Sequence, residues 1–587
     1  MNGFYGRILI VDLTEKTFSV QNLADEIYAA YLGGKGLASY LLYHHNPPGV
    51  DPLEPENRLI FATGPITGSL IWGSSRYGVF TKSPQTGLYS ESYSGGRVPE
   101  AIDATGFDAV ILHGRSSQPT VLVVHPDGAE FHAADDLWGQ DSLVTEKQVN
   151  ERFADATRGH KRSGTVVIGP AGENLVRFAV IENDFWRSAG RTGVGTVMGA
   201  KKVKAILFHG DRRRSLFDEG TVKTYSKSFM KVNKDSPAAN AYRSMGTTMM
   251  VKLVNEAGAF PTRYWRSGVY QDWKNISSDA LHQRCQVTPK ACAKCFMACG
   301  RMTKVLEGKH AGLAVEGPEY ETIYAFGGLC MIDQIEEIAH LNDICDRLGM
   351  DTISAGNLCA FAIEAARSGR IDRPLDYGDA DAVAVLLEDI AYRRDIGEVL
   401  AEGIRPAAKN WDMEEEAIHV KGLEPAGYDP RVLKGMGLAF ATSDRGACHL
   451  RATFYKSELS GMIEPEQIEG KAEMFVDFED RLTLFDALIL CRFYRDFYLW
   501  DELGKLFLMT TGIKTDQPAL EKIAAEILTL ARKFNLREGM RPEDDWLPAR
   551  FFRSRLEDSG VELKKDDFFT LLKDYYRLRG WQEDGRL

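Results

Sequence analysis

The sequence lacks long apolar runs and an excess of positive charge. No apolar run approaches the roughly 20 residues of a membrane-spanning helix, and the first ten residues have neither the charged start nor the apolar core of a signal peptide. Aspartate and glutamate (83) outnumber lysine and arginine (71), giving a net charge of -12, whereas proteins that bind nucleic acid need a basic stripe. We therefore expect a cytoplasmic protein without a membrane span or a nucleic-acid partner.

Cysteine is also scarce, but some of the cysteines are clustered. Nine cysteines among 587 residues are too few for a disulfide framework, yet three of them fall between Cys292 and Cys299. In a reducing compartment such a cluster is typical of metal binding or catalysis. The hydrophobic share of 44% is that of a globular protein, and the length predicts about three or four domains.

The hydrophobic period changes along the chain. Up to about residue 209 it indicates short strands, including Thr120–Val124 and Val176–Ile181, with turns at residues 12–17 and at Pro126-Asp-Gly. From about residue 218 the period becomes helical, as in residues 335–345. Strands followed by helices predict an α+β fold. The predicted domains are a β-rich one at 1–209 and two mainly helical ones at 210–415 and 416–587.

The spacing Cys-x2-Cys-x3-Cys narrows the choice of metal. Zinc commonly uses two separated Cys-x2-Cys pairs, and no second pair is present. A thioredoxin-type pair would leave Cys299 unexplained. A four-iron cluster needs four thiolates, usually three local and one distant, so the spacing favours iron–sulfur over zinc or a reactive or buried set. The fourth ligand stays open among Cys285, Cys330, Cys345, Cys359, Cys448 and Cys491.

Several short motifs lie in order along the chain. They are Gly3-Phe-Tyr-Gly-Arg-Ile-Leu-Ile-Val-Asp-Leu, Ile66-Thr-Gly to Arg76, Thr81–Gly87, Ala189–Gly199 with Lys201, Gly317-Pro-Glu-Tyr-Glu321 and Arg445-Gly-Ala-Cys-His449. Together they resemble the tungsten-containing aldehyde:ferredoxin oxidoreductase family over essentially the whole chain. The resemblance implies a mononuclear tungsten or molybdenum held by two pyranopterins, one 4Fe-4S cluster, a β base domain and two helical domains.

The family also carries a paired pterin-binding motif, Asp-x-x-Gly-Leu followed by Asp or Cys. Residues 346–351, Asp-Arg-Leu-Gly-Met-Asp, resemble the first copy, and residues 486–491, Asp-Ala-Leu-Ile-Leu-Cys, resemble the second, in which Ile489 replaces glycine. Carboxylates and main-chain groups can hydrogen-bond pterin nitrogens. The expected pterin contacts are Asp346, Gly349, Asp351, Asp486 and Leu490. The resemblance makes Cys491 the fourth cluster ligand beside Cys292, Cys295 and Cys299.

Other motif positions are expected to hold cofactor as well. Arg76 matches an arginine between cluster and pterin, where a guanidinium can hydrogen-bond both. The loop at Gly95 resembles one that helps hold magnesium between the pterin phosphates, although Tyr93 stands where a small polar residue is common. The remaining expected contacts are Ala189, Gly190 and Arg191.

Two patterns receive a structural interpretation. The glycines from Gly190 to Gly199 could form a dinucleotide fingerprint, but we expect a strand, Lys204–Phe208, where that motif requires a helix, and NAD is discounted. Glu337 and His340 share a helix face and could bind a subunit-bridging metal, although a surface pair is the favoured interpretation. Contact of Cys330 or Cys448 with the metal stays open.

Aldehyde oxidation needs a proton acceptor for water and a group that orients the carbonyl. The resemblance points to Glu321 and His449 for these roles. It further implies a small aldehyde substrate and transfer of single electrons to ferredoxin or a partner Fe-S subunit, in a homo- or hetero-oligomer. The triplet Arg212 to Arg214 could dock an acidic carrier or form a solvated linker.

Three other functions compete with aldehyde oxidation. A dearomatising aryl-CoA reductase would use the same scaffold and would need a basic patch for CoA. An electron-transfer or assembly subunit would lack both pterin motifs, which are largely present here. A zinc-stapled structural protein would contain zinc in place of iron.

Overall fold

The structure is a computed structural model that describes residues 1–587. Strands dominate the first 210 residues and helices the remainder, which confirms the α+β prediction. The N-terminal elements are β1 (Arg7–Asp12), β2 (Thr17–Asn22), α1 (Asp25–Tyr31), α2 (Gly34–His45), β3 (Leu59–Ala62), β4 (Tyr77–Lys82), β5 (Tyr89–Ser94), α3 (Val98–Ala104), β6 (Ala109–His113), β7 (Thr120–His125), β8 (Gly128–Ala133), α4 (Ser142–Arg152), α5 (Ala154–Thr157), β9 (Arg162–Val167), α6 (Pro170–Glu173), β10 (Ile181–Asn183), β11 (Arg187–Ala189), α7 (Val194–Ala200) and β12 (Val203–Gly210).

The helical part contains one small sheet. Its elements up to residue 410 are α8 (Glu219–Asn233), α9 (Pro237–Met245), α10 (Met249–Glu256), α11 (Ser278–Arg284), β13 (Cys285–Lys290), β14 (Gly300–Val305), β15 (Ala314–Glu316), α12 (Tyr320–Thr322), α13 (Ile335–Leu348), α14 (Thr352–Arg367), α15 (Ala380–Ala391), α16 (Gly397–Ala401) and α17 (Ile404–Asn410). Those that follow are α18 (Lys434–Thr442), α19 (Tyr455–Leu459), α20 (Lys471–Leu488), α21 (Trp500–Thr511), α22 (Gln517–Arg537), α23 (Ala549–Arg553) and α24 (Lys565–Arg579).

Two six-stranded sheets form the N-terminal region. Their strand orders are β2-β1-β6-β3-β4-β5 and β11-β10-β9-β12-β7-β8. Alternate residues of a strand point to opposite faces, so Leu9 and Val11 of β1 share a hydrophobic core with Phe208 of the second sheet. Ile8 belongs instead to the core that includes Leu41 of α2. The alternation in β1 thus joins the two sheets on one side and a helical layer on the other.

The predicted turns between strands are confirmed, whereas one predicted strand is absent. The predicted turns at residues 12–17 and Pro126-Asp-Gly connect the antiparallel pairs β1–β2 and β7–β8. The predicted strand Val176–Ile181 is wrong, because only Ile181 enters a strand. Val180 N–H instead donates to the carbonyl of Gly349. The segment therefore links the sheets to the end of α13.

The glycine-rich segment after β11 contains a helix that was not expected from the sequence. The seven-residue helix α7, which the sequence did not predict, follows Gly193, and only then does β12 begin. NAD was discounted because a strand was expected where a dinucleotide motif requires a helix, and that reason is wrong because a helix is present. β11 nevertheless lies at a sheet edge and pairs antiparallel with β10, whereas a dinucleotide-binding unit needs parallel strands joined through the helix.

The helical part has no hydrophobic division at the predicted boundary between residues 415 and 416. One cluster of 80 buried residues runs across it, with Phe361 and Phe440 on either side. The predicted boundary at 209 lies one residue before the end of β12; the three-domain division stays a prediction. No helix has the length and apolar character to cross a membrane.

The two regions meet where glycines touch helix ends. A Cβ on Gly64 would lie 2.2 Å from the carbonyl oxygen of Leu488, and one on Gly34 would lie 2.1 Å from that of Asp486, both in the last turn of α20. A Cβ on Gly169 would lie 2.4 Å from the carbonyl oxygen of Leu348, at the end of α13. Only glycine allows this backbone approach.

The helices α13 and α20 end in the same backbone conformation. Gly349 after α13 has φ 78° and ψ 52°, and Ile489 after α20 has φ 61° and ψ 52°. The left-handed conformation is unfavourable for a β-branched residue, yet Ile489 adopts it while its side chain is buried. The replacement of glycine in the second motif has therefore left the backbone geometry of the pair unchanged.

We expect Gly64→Ala to destabilise the protein by about 1–3 kcal/mol, the usual range for overpacking, because backbone atoms of Leu488 cannot move aside. Thermal unfolding followed by circular dichroism measures the effect. Gly504→Ala in α21 is the matched control, since its Cβ would have only an ordinary contact at 3.7 Å. Equal unfolding midpoints for the two variants would contradict the prediction.

Candidate active site

The four predicted cluster cysteines come together in one cavity. Cys292, Cys295 and Cys299 occupy the loop between the antiparallel strands β13 and β14, and Cys491 follows α20. All four line a cavity of about 220 Å³. The N–H of Cys491 donates to the carbonyl of Gly73 (2.9 Å), whose own N–H donates to Lys294 (2.8 Å). Main-chain hydrogen bonds therefore fix the distant cysteine against the local loop.

Arg76 and Gly95 lie beside the cysteines; their expected contacts with pterin and magnesium stay predictions. Both line the same cavity, and a Cβ on Gly95 would lie 2.9 Å from Cys292 Sγ. Arg76 donates to the main-chain carbonyl of Tyr93 (3.3 Å). The Gly95 carbonyl accepts from Asn183 Nδ2 (3.0 Å), so the predicted magnesium loop is anchored to β10.

A second cavity of about 240 Å³ adjoins the first and shares Tyr93, Ser188 and Glu319 with it. Gly190, Arg191, Asp346 and Asp351 line it. We call it the middle cavity. Ala189 is the last residue of β11, directly before this lining.

Two buried guanidinium groups near the middle cavity keep N–H donors without partners. Arg445 lines the cavity and donates to the Glu91 carbonyl, while its Nε has no partner. Arg451 does not line the cavity, but it lies 5.3 Å from the ring of Tyr93, which does. In Arg451, Nη1 pairs with Glu91 and Asp486, while Nε and Nη2 have no partner. Buried polar groups are nearly always satisfied in folded proteins. These donors fit a polyanionic cofactor such as a pterin phosphate.

The motif carboxylates differ in their surroundings. Asp486 accepts from Arg451 (2.7 Å) and also pairs with Arg492. Both oxygens of Asp351 are engaged, because Oδ1 accepts from the N–H of Ile353 and Oδ2 from Arg191. Asp351 thereby caps α14 and orients Arg191.

Asp346 differs from the other two because no cation pairs with it. Burial, with the nearby Asp343 as a smaller cause, raises its pKa well above the usual range. Asn342 donates to Oδ2 (2.7 Å). A buried, protonated carboxyl group both donates and accepts hydrogen bonds, which suits the edge of a heterocycle.

Four of the predicted contacts line neither cavity: Ala189, Asp486, Gly349 and Leu490. Gly349 donates its N–H to Cys345 and accepts from Val180, so its main-chain groups are already paired. The side chain of Leu490 packs into the hydrophobic cluster that includes Phe485. A direct contact of any of the four residues with a pterin stays a prediction.

Glu321 and His449 face each other at the far end of the middle cavity. Glu321 Oε1 and His449 Nε2 are 3.5 Å apart, and Glu321 Oε2 accepts from the Gly427 N–H (3.0 Å). Glu321 lies in α12, immediately before a π-helical segment, Ile323–Leu329; such segments are frequent at functional sites. The two predicted catalytic side chains are therefore adjacent although they lie 128 positions apart in the sequence.

Burial shifts the two pKa values in opposite directions. It raises the pKa of Glu321 to about 8, against the smaller opposing effect of the Gly427 hydrogen bond. It lowers the pKa of His449 well below the usual value, and the nearby Arg191 and Arg445 lower it further. At neutral pH the pair is therefore mainly a carboxylic acid beside a neutral imidazole.

A third cavity, of about 550 Å³, begins at this pair and shares Glu319, Glu321, His449 and Leu450 with the middle cavity. We call it the outer cavity. Its lining is largely apolar, with aromatic rings that include Tyr428 and Tyr455, stacked 4.2 Å apart. The three cavities thus follow one another from the cysteines to an apolar chamber.

Cys330 and Cys448, for which contact with the metal was left open, have different surroundings. Cys330 lies in the hydrophobic core, where its Sγ faces the Gly356 carbonyl at 3.5 Å. Cys448 Sγ accepts from Arg445 Nη2 (3.0 Å) and from the Leu450 N–H (3.3 Å). Burial alone would raise the pKa of Cys448, but Arg445 and Arg451 outweigh it and lower the pKa to about 6.

The pair Glu337 and His340 belongs to a small polar cluster. Glu337 lies 2.8 Å from His310 Nε2, and the His310 ring stacks on His340 with centroids 4.2 Å apart. No three side chains of His, Cys, Asp or Glu anywhere in the chain converge as closely as a single metal ion requires. A bridging metal at this pair stays the untested alternative to the favoured surface pair.

Several residues around the cavities were not predicted from the sequence. Arg187 lines the cysteine cavity and pairs with Glu316, and the hydroxyl of Tyr494 faces Cys295 Sγ at 3.7 Å. Arg451 and Arg492 had signals available, since each lies within two residues of a predicted site residue, His449 or Cys491.

The structure corrects the role expected for Arg214, the last residue of the basic triplet. It is buried, it pairs with Asp103 and Asp108, and it donates to the Gly3 carbonyl. The expectation of a docking or solvated role for the whole triplet is therefore wrong at this position. The reason is that two buried carboxylates of the N-terminal region require a cation.

Comparison with known proteins identifies relatives over the full length. A family model described as the N-terminal domain of aldehyde ferredoxin oxidoreductase matches residues 8–210, and one described as domains 2 and 3 matches residues 224–587. Tungsten-containing aldehyde ferredoxin oxidoreductases of Thermococcus kodakarensis and Pyrococcus abyssi are 35% and 34% identical, each alignment covering 100% of this chain and 98% of the relative. An aliphatic sulfonate oxidoreductase, WOR-like subunit, of Pyrococcus furiosus is 28% identical over 100% of this chain and 96% of its own.

A solved structure has the same fold. It is the active-site complex of a benzoyl-coenzyme A reductase with 1,5-dienoyl-CoA; the TM-score is 0.86 at 23% identity, covering 100% of this chain and 96% of that one. Identity at this level indicates the fold and no more. Because the two family models together span nearly all of the sequence, the chain belongs to the aldehyde ferredoxin oxidoreductase family.

Proposed function

We propose that the protein oxidises an aldehyde to a carboxylic acid, with water as the oxygen source, and passes the electrons singly to ferredoxin or a partner Fe-S subunit. In this reaction, RCHO and H2O give RCOOH, two protons and two electrons. The observation that carries the proposal is the position of Glu321 and His449, between an apolar chamber and a cavity that continues to four cysteines.

The residues around the two inner cavities fit the cofactors of this family. Cys292, Cys295, Cys299 and Cys491 would hold one 4Fe-4S cluster. When bound, a tungsten or molybdenum bis-pyranopterin supplies a two-electron acceptor and a metal centre. Its expected contacts are Arg76, Gly95, Ala189, Gly190, Arg191, Asp346, Gly349, Asp351, Asp486 and Leu490, with the unpaired donors of Arg445 and Arg451 added. Magnesium at the Gly95 loop rests on the family resemblance.

The protein supplies proton transfer and orientation. Ionised Glu321 can accept a proton from water, and the neutral His449 imidazole can donate an N–H hydrogen bond to the aldehyde oxygen. The Gly427 N–H bond to Oε2 leaves Glu321 Oε1 free to face the reacting atoms. The cavity walls leave the side chains of His449 and Glu321 only 12% and 18% exposed, and the lower local dielectric strengthens both interactions.

The outer cavity favours aldehydes with a sizeable apolar group. Its roughly 550 Å³ far exceeds the volume of a two-carbon aldehyde, although it suits a drug-sized apolar ligand. Apolar surface buried against rings such as Tyr428 and Tyr455 contributes about 25 cal/mol per Å². We therefore refine the expected small aldehyde to an aryl or long alkyl aldehyde.

Wild-type turnover should rise with pH through about 8, because only the ionised form of Glu321, whose pKa is about 8, can accept the proton from water. Glu321→Gln should retain iron and tungsten yet lose about 10²–10⁴-fold in kcat. The pH dependence of dye-linked aldehyde oxidation, measured with metal content, tests this. A Gln variant with the wild-type rate and the same pH step would exclude Glu321 as the base.

Cys491→Ser should lose most of the cluster, because it removes one of four thiolate ligands, whereas wild type should contain about four irons per chain. Elemental analysis and the electron paramagnetic resonance spectrum of the reduced protein measure this. Cys359→Ser, buried in α14 and outside the cavity, is the control. The ligand set is wrong if both variants keep full iron; stoichiometric zinc with negligible iron would refute the cluster itself.

Benzaldehyde should be oxidised with at least about a tenfold higher kcat/KM than acetaldehyde, because its ring gains well over 1.4 kcal/mol from burial in the outer cavity. Initial rates with a dye acceptor test this. A preference for acetaldehyde would contradict the substrate class. Reduction of aryl-CoA without any aldehyde oxidation would support the alternative chemistry of the structural neighbour.

A further inference from the structure

A basic helix covers the cysteine loop on the outside of the protein. Lys223, Lys227 and Lys231 of α8 are exposed and spaced by four residues, so they lie on one face of the helix. The opposite face is buried through Phe229, which lies 6.2 Å from the ring of Phe296, the neighbour of Cys295. The lysine face is thus only one helix diameter from the cluster loop.

The positive surface continues beyond α8. Lys294, between Cys292 and Cys295, lines a surface cavity of about 390 Å³ together with Lys223 and Arg213. We call these three residues with Lys227 and Lys231 the α8 basic face. No carboxylate lies within 4.0 Å of any of the five cationic groups. Glu100, Asp103 and Glu219 line the same cavity, and Asp103 is already paired with Arg214, so the face keeps an excess of positive charge.

The charge of this face contrasts with that of the protein. A net charge of -12 makes the protein as a whole repel an acidic partner, so electrostatic steering concentrates encounters on a complementary basic patch. Two exposed apolar side chains accompany the lysines: Leu70 lines the cavity and Val232 lies on α8. Cationic groups around apolar contacts are suited to a transient protein complex.

We propose that the α8 basic face is the docking surface for an acidic Fe-S electron carrier. The Cα atoms of Lys294 and Cys295 are one peptide unit, about 3.8 Å, apart, so a partner seated on Lys294 lies directly beside a proposed cluster ligand. Electron tunnelling weakens steeply with distance, which makes this the favourable exit. The inference rests on the proposed function, because it takes the cysteines as the cluster site.

The experiment compares two triple variants of the holoenzyme with the same change in charge. Lys223→Glu/Lys227→Glu/Lys231→Glu alters the α8 basic face, and Lys147→Glu/Lys409→Glu/Lys533→Glu alters exposed lysines on α4, α17 and α22. The probe is an acidic ferredoxin at low ionic strength. We measure its binding by calorimetry, its KM as electron acceptor, and kcat with a dye that needs no docking.

The α8 variant should show at least a tenfold weaker Kd and higher KM for ferredoxin, a flatter salt dependence, and unchanged dye-linked kcat and iron content. The control variant should resemble wild type. Equal ferredoxin Kd values for the two variants, or no binding by wild type, would overturn the docking proposal. Intact binding with no aldehyde oxidation by dye or ferredoxin would instead refute the proposed function and leave the docking surface supported.

Discussion

Close approach of main chain to main chain at two helix ends positions the rest of the site. Gly64 and Gly34 contact the last turn of α20, and Gly169 contacts the last turn of α13. The peptide groups meet without intervening side chains, so neither helix can rotate or slide without a clash. Asp486 and Asp346 are held by this constraint, and Cys491 follows from it because it lies two residues after the left-handed end of α20.

The sequence predicted most of what depends on local pattern. The strand alternation, the turns and the spacing of Cys292 to Cys299 could be interpreted without a structure. The role of Cys491 could not be inferred from a local pattern, because Cys491 lies 192 positions after Cys299 and no local rule connects the two. Only the paired motif of the family indicated it. Its exposure in the shared cavity is now visible in the geometry.

A residue whose role depends on distant partners could not be interpreted correctly from the sequence. Arg214 reads as a solvated charge in a triplet, but Asp103 and Asp108, more than a hundred positions away, make it a buried ion-pair partner. The helix α7 was missed because a glycine-rich run has low helix propensity, and tertiary packing decided the outcome. Ile489 shows the converse case, in which packing maintains a backbone conformation that the residue itself disfavours.

With the proposed ligands, the cysteine cavity has a consequence for the life of the polypeptide. A cluster bound by Cys299 and Cys491 closes a loop comparable to that of a long disulfide, worth on the order of 5 kcal/mol of chain entropy. A ribosome must deliver the last ligand late in synthesis, so loading of the iron follows translation. Oxidative destruction of the cluster would remove this cross-link between Cys299 and Cys491. Damage by oxygen would then lower the stability of the tertiary structure as well as abolish electron transfer.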